Sequence, residues 1–206
     1  MIAPALLAAL IRSCAPHVDV VTESAIVTVE SRANPWAIAD ADTHRSYQPR
    51  SLADARATAS SLLAAGHRVA VGLGQVLMPL HSSDVDELLD PCQNLALSER
   101  VLAADYAQQY RATSASTEGA HQQLALDRAF SEYNSGDPTV ARGYVRLVRA
   151  ALSTPYVERT VSANVRLSDA HVYRTRAVAH PEIVTTEFIG HSSSRGIELA
   201  LPADPR

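Results

Sequence analysis

The sequence predicts a mainly α-helical domain, and three observations predict it. Alanine and leucine dominate a chain that is 47% hydrophobic but only 5% aromatic, a composition that favours helices over sheets. Apolar residues recur at helical spacing in most segments. Turn signals at Asn34-Pro35, Gly66, Asp90-Pro91, Ser135-Gly136-Asp137-Pro138 and Thr154-Pro155 cut the chain into pieces of helix length. With 206 residues, the chain suits one domain with a real core and room for an added tail.

The start, MIAPALLAALIRSCAP, is apolar but short, contains a proline and lacks a basic leader. It makes a poor export signal, is too short for a membrane span, and reads as easily as a first amphipathic helix. Val18 to Ser31 forms a helix on Val18, Val21, Ala25, Ile26 and Val29, closed by Asn34-Pro35. Residues 37–50 crowd polar and turn-forming residues and read as irregular. Ser51 to Ala65 is a helix with Ser51 as N-cap and Gly66 just past its end. VAVGLGQVLM, 69–78, reads as a strand or a tight buried loop.

Asp84 to Leu89 reads as a short helix stopped by Asp90-Pro91. Asn94, as cap, would open a helix to Arg111, with Leu95, Val101, Leu102 and Tyr106 on one side. After a polar loop at 113–119, His121 to Asn134 is helical. Thr139 to Leu152 then carries a stripe of Val140, Tyr144, Leu147, Val148 and Ala151. A further helix to about Ala163 is expected. No period holds beyond Leu167, so residues 168–206 read as a weakly structured or partner-dependent tail.

Charge and cysteines narrow the function. The formal net charge is −4 and no basic stripe stands out, which argues against a nucleic-acid partner. The two cysteines, Cys14 and Cys92, do not have zinc-site spacing, and nothing in the pattern calls for a metal or cofactor. Composition leaves two buried thiols and one disulfide both open.

Glu30 sits at the border of an apolar stripe, one turn after Ile26. Such a residue reads either as a boundary carboxylate reaching water or as a carboxyl in a half-apolar cleft. In the cleft, desolvation would raise its pKa and fit it for acid catalysis. Gly72-Leu73-Gly74-Gln75 is a tight turn that lets backbone approach a ligand; it lacks the residues of a phosphate loop. Tyr133-Asn134-Ser135-Gly136 is a helix end that puts a phenol and an amide beside a cleft, or an ordinary C-cap.

The order of these pieces is more specific than any one. "CAPHV", "VESRANPWAI", "VGLGQV", "DPCQNL" and "SEYNSGD" together resemble the lytic transglycosylases with a lysozyme-like domain. Within these the resemblance is to the subgroup attached to type IV secretion systems, and it covers about residues 10–160. Three departures stand out: Arg32-Ala33 where relatives often carry glycine, Gly74 where many carry Met, and Glu132 where Ala commonly precedes the Tyr.

The resemblance implies a lysozyme-like (soluble lytic transglycosylase) catalytic domain over 1–160, with a C-terminal extension, 161–206, as disordered or partner-binding. It implies peptidoglycan glycan strands as substrate and secretion-system components as partners, in the periplasm. It also implies cleavage of the β-1,4 bond between N-acetylmuramic acid and N-acetylglucosamine, with closure of a 1,6-anhydro ring. Glu30 matches the single acid/base. Ser31, Gln75, Tyr133 and Asn134 match substrate-binding or supporting positions, and Asn94 a structural one. An intramolecular nucleophile dispenses with the second carboxylate that ordinary glycosidases need, for which Asp40 and Asp42 are the nearest candidates. A substrate outside the cytoplasmic membrane also turns the cysteine question towards a Cys14–Cys92 disulfide. A hydrolysing muramidase on the same fold, and a weakly active wall-binding assembly protein, are the competing expectations.

Overall fold

The structure is a computed structural model and describes residues 1–78 and 85–158. It is mostly helical, with one small antiparallel sheet. α1 (Pro4–Cys14) starts with proline in its first turn, where the missing N–H is not needed. α2 (Val20–Glu30) is capped by Asp19, whose carboxylate accepts from the N–H groups of Val21 and Thr22. Thr22 through Val27 are all buried, so α2 is a shaft through the core rather than a one-faced surface helix. Its final turn, from Thr28 to Glu30, emerges to partial exposure.

The stretch 37–50, expected to be irregular, folds into a hairpin of β1 (Ile38–Asp40) and β2 (Arg45–Tyr47). The polar residues that hid it are its turn. Asp40 accepts from the backbone N–H groups of Asp42 and Thr43, from the Thr43 hydroxyl at 2.5 Å, and pairs with His67 Nδ1 at 2.7 Å. β1 also pairs with β3 (Val69–Val71), which turns through Gly72–Gln75 into β4 (Val76–Leu77). The order is β2-β1-β3-β4, all antiparallel, with Ile38 opposite both Tyr47 and Val71. The 69–78 segment is thus both of the expected things: a strand and a tight turn.

α3 (Leu52–Ala64) has Ser51 as its N-cap, accepting from Asp54 N–H, and Gly66 follows at φ 82°. α4 (Val85–Leu89) is one short turn. α5 (Pro91–Ala112) starts earlier than expected. Its cap is Asp90, which accepts from Cys92 and Gln93 N–H, and Asn94 lies inside the helix instead of capping it. α6 (Glu118–Ser135) ends on Gly136 at φ 71°.

α7 (Arg142–Ser153) buries Tyr144 and Val148, but Leu147 is 59% exposed and Val140, ahead of the helix, 63%. On α5, Val101 is 42% exposed. The expected stripes were therefore too wide in both helices.

Three apolar clusters hold the domain. One joins α2, α5, α6 and α7 around Ile26, Leu102, Tyr106 and Phe130. A second joins α1 to the back of α2 and the start of α5, and includes Leu73. The third packs the sheet on α3 and α4. A disulfide joins Cys14 to Cys92, Cα atoms 5.2 Å apart, tying the end of α1 to the first turn of α5. The described chain closes with a 3₁₀ turn, Tyr156–Glu158, where the Tyr156 hydroxyl donates to the Ile2 carbonyl at 2.8 Å. The expected helix to about Ala163 and the expected tail at 161–206 lie outside the described residues, apart from this turn. Among the described residues, no helix is long and apolar enough to cross a membrane.

Candidate functional site

A cleft of about 820 Å³ opens between the sheet and the C-terminal end of α6. Glu30 lines it from the last turn of α2, Gln75 from the β3–β4 turn, and Tyr133 and Asn134 from α6. Ser31 is not among its lining residues. It is fully buried and its hydroxyl donates back to the Val27 carbonyl at 3.0 Å, so it closes the helix rather than facing a ligand.

Glu30 is half-buried, and burial pushes its carboxyl up to about 7. The Tyr144 hydroxyl lies near enough to oppose this slightly, although no hydrogen bond of normal geometry closes between them. Burial and the neighbouring carboxyl groups hold the hydroxyls of Tyr133 and Tyr144 far above the usual tyrosine range, so both stay protonated.

The Gly-rich turn is pinned from behind by α5. Asn94 accepts from Gly74 N–H at 2.8 Å, and its amide donates to the carbonyls of Val71 at 2.8 Å and Leu88 at 2.9 Å. The Tyr133 hydroxyl donates to the Gly74 carbonyl at 2.6 Å and sits 2.9 Å from Ser98 Oγ. A Cβ on Gly72 would stand 2.3 Å from the Asn94 amide nitrogen. A Cβ on Gly74 would stand 2.6 Å from the Ser98 side chain and 2.9 Å from the Tyr133 hydroxyl. Both glycines are there for close approach. Gln75 takes φ 48°, and its amide nitrogen donates to the Ala37 and Gly72 carbonyls at 3.0 and 2.9 Å.

Two further carboxylates line the cleft: Glu132, which the sequence reading did not place there, and Asp40, one of its two candidates for a second carboxylate. Glu132 accepts from the side-chain amides of Gln108 and Gln109, at 2.9 and 2.7 Å. Asp40, with the hydrogen bonds already described, is held well below the usual carboxylate range, the Thr43 hydroxyl being the largest cause. Asp42 binds Arg68 by backbone and side chain, at 2.8 Å each.

Sequence reasoning also missed Glu23, Ser98 and Tyr144. Glu23 lies seven residues before Glu30, which is two turns down the same helix face; Ser98 lies one turn after Asn94. Among the described residues, no cluster of His, Cys, Asp and Glu suits a metal ion.

The mainly helical domain thus brings a half-buried acid to a cleft that a tight Gly-x-Gly-Gln turn also lines. In sequence the chain is similar to virB1 proteins. The chain is 37% identical over 145 residues to Protein virB1 of Agrobacterium fabrum, 68% of this chain and 56% of that protein. It is 38% identical over 133 residues to the Type IV secretion system protein virB1 of Brucella suis biovar 1, 63% of this chain and 54% of that protein. Protein virB1 of Rhizobium radiobacter is 34% identical over 145 residues, 68% and 58% of the two chains. The resemblance to the type IV secretion subgroup, read from the motifs, is thereby borne out. The chain spans a little over half the length of these relatives. No protein-family profile matches the chain, and no solved structure does.

Proposed function

We propose that this chain is a peptidoglycan lytic transglycosylase with a lysozyme-like domain over residues 1–160, opening the wall locally for a type IV secretion system in the periplasm. The observation that carries the reading is Glu30: a cleft carboxyl raised by burial to about 7, available as an acid near neutral pH.

In this mechanism the Glu30 carboxyl donates its proton to the glycosidic oxygen as the bond to the muramic anomeric carbon breaks. The resulting carboxylate takes the proton of the muramic C6 hydroxyl. The C6 oxygen closes on the anomeric carbon, giving a 1,6-anhydro product with no water consumed. Burial favours the protonated form at the start, and the developing positive centre favours the carboxylate later. Gln75, Tyr133 and Asn134 border the cleft where the glycan strand would run. Ser31 supports the helix end that carries Glu30.

A hydrolysing muramidase is the second reading, favoured by Asp40 lining the same cleft. Against it, the Asp40 oxygens already accept from Thr43, the backbone and His67, which leaves little capacity to activate a water.

Digestion of purified peptidoglycan decides between them. Anhydro-muropeptides are expected from the wild type, with Glu30→Gln lowering the rate by about 10²–10⁴-fold. Equal yields from both proteins would sink the role of Glu30. Products one water heavier, abolished by Asp40→Asn, would establish the muramidase.

A further inference from the structure

A buried carboxyl outside the cleft lining is not used by the proposed reaction. Glu23 is fully buried in the first turn of α2, and neither of its oxygens makes a hydrogen bond of normal geometry. Ser98 and Glu99 act on it from α5. It in turn acts on Tyr133 from α6 and Tyr144 from α7, and Glu30 stands two turns along its own helix. Among the described residues, no basic side chain acts on it directly; His17, between α1 and α2, reaches Glu99 instead. An unpaired buried carboxylate is expensive, so the carboxylic acid is the form this site accommodates.

The hydroxyl protons of Ser98 and Tyr133 can be assigned by counting. The Gly74 carbonyl only accepts, so the single Tyr133 proton lies on it, at 2.6 Å. The proton between Ser98 and Tyr133, 2.9 Å apart, must then come from Ser98. Ser98 Oγ is left with lone pairs alone for Glu23. A carboxylic acid, making no hydrogen bond of normal geometry here, leaves the Ser98 proton on Tyr133. A carboxylate offers more lone pairs and draws the Ser98 proton away from Tyr133. That leaves either the Ser98–Tyr133 or the Tyr133–Gly74 contact without a hydrogen.

We propose that Glu23 is a positioning residue, a buried carboxylic acid whose neutral form leaves the Ser98 proton on Tyr133 and so keeps intact the Ser98–Tyr133–Gly74 hydrogen-bond chain that seats the turn carrying Gln75. Ionising Glu23 reverses the chain at Ser98 and loosens the turn. This rests on the proposed role of Glu30 only for its catalytic consequence. The structural coupling stands without it.

Asp105, on α5, is also raised to about 7 by burial and acts on Tyr133. The test therefore uses the full chain carrying Glu30→Gln and Asp105→Asn, which removes the other two carboxyls raised to about 7. The backbone amide signals of Gly74 and Gln75 are followed by NMR from pH 5 to pH 9. They are expected to shift with a midpoint near the value of about 7 to which burial raises Glu23. Adding Glu23→Gln, which keeps a donor and cannot ionise, is expected to abolish the shift. Ser98→Ala, which breaks the chain in the middle, is expected to uncouple the turn even if Glu23→Gln fails to fold. Signals that do not titrate, or that titrate unchanged in either added variant, overturn the proposal. In the active protein, Glu23→Gln is expected to remove one proton from the alkaline fall of kcat. An active Glu30→Gln protein would defeat the reading of Glu30 while leaving the amide titration to judge Glu23.

Discussion

Substituting alanine at three glycines separates two costs that the structure assigns differently. Gly66 takes φ 82° with nothing within 4 Å of an added Cβ, so Gly66→Ala meets only the left-handed backbone, about 1–2 kcal/mol. Gly74 is not at positive φ, but its Cβ would stand 2.6 Å from the Ser98 side chain. Gly74→Ala therefore meets only overpacking, about 1–3 kcal/mol. Gly72 meets both: φ 82°, and the Asn94 side chain within 2.9 Å. Asn94 cannot swing aside without giving up three hydrogen bonds. Gly72→Ala should then lose about 2–5 kcal/mol, the sum of the two costs. At about 2–4 °C per kcal/mol for a chain of this size, that lowers Tm by roughly 10 °C. Urea unfolding gives the order, and wall digestion gives a second readout, in which Gly66→Ala digests as the wild type does and the other two do not. A Gly72→Ala variant no less stable than Gly66→Ala would refute the close-approach argument.

Glu23 makes stability depend on pH. Its folded pKa of about 7 stands above the ordinary 4.5, so the folded state holds a proton that the unfolded state has lost. Glu23's share of the stability should fall by up to about 3 kcal/mol as pH rises from 4.5 to about 7 and level off above, and Glu23→Gln should make the slope of the urea midpoints shallower, leaving the share of Glu30 and Asp105. Asp40 and Asp42 act oppositely: their lowered values stabilise the fold above 3.8 and are lost as pH falls below it. Arg32 is exposed at φ 57°, so Arg32→Gly should stabilise the protein by about 0.5–1 kcal/mol; a lower Tm would contradict this. Reducing the Cys14–Cys92 bridge, with 78 residues of separation, should remove about 4 kcal/mol, read as the difference in unfolding free energy with and without reductant.

Helices were legible because their caps are local. Asp19 was passed over, but Ser51 and Gly66 mark α3 to within a residue. The hairpin at 38–47 was not legible, because its strands are three residues each and its turn depends on Asp40 meeting His67, distant in sequence. Asn94 looked like a cap since helix starts attract such residues; its true partners, Val71, Gly74 and Leu88, come together only in the fold. The site divides in the same way. Glu30, Gln75, Tyr133 and Asn134 were named from motifs and all line one cleft. Glu23 was hidden because a carboxyl in a first helical turn ordinarily faces water. The positive φ of Arg32 and Ala33 explains in backbone terms why glycine would suit these two positions.

The disulfide also divides the cleft by covalent topology. Residues 14–92 form a closed ring that contains Glu30, the hairpin and Gln75, whereas Tyr133 and Asn134 hang on the chain outside it. A single peptide-bond cut anywhere within that ring leaves one molecule with both cleft walls still attached. A cut after Cys92 and before Tyr133 leaves them joined by noncovalent packing alone. In a space shared with proteases, the acid and its glycine turn are thus the leashed half of the site, and the tyrosine wall is the half that nicking could set loose.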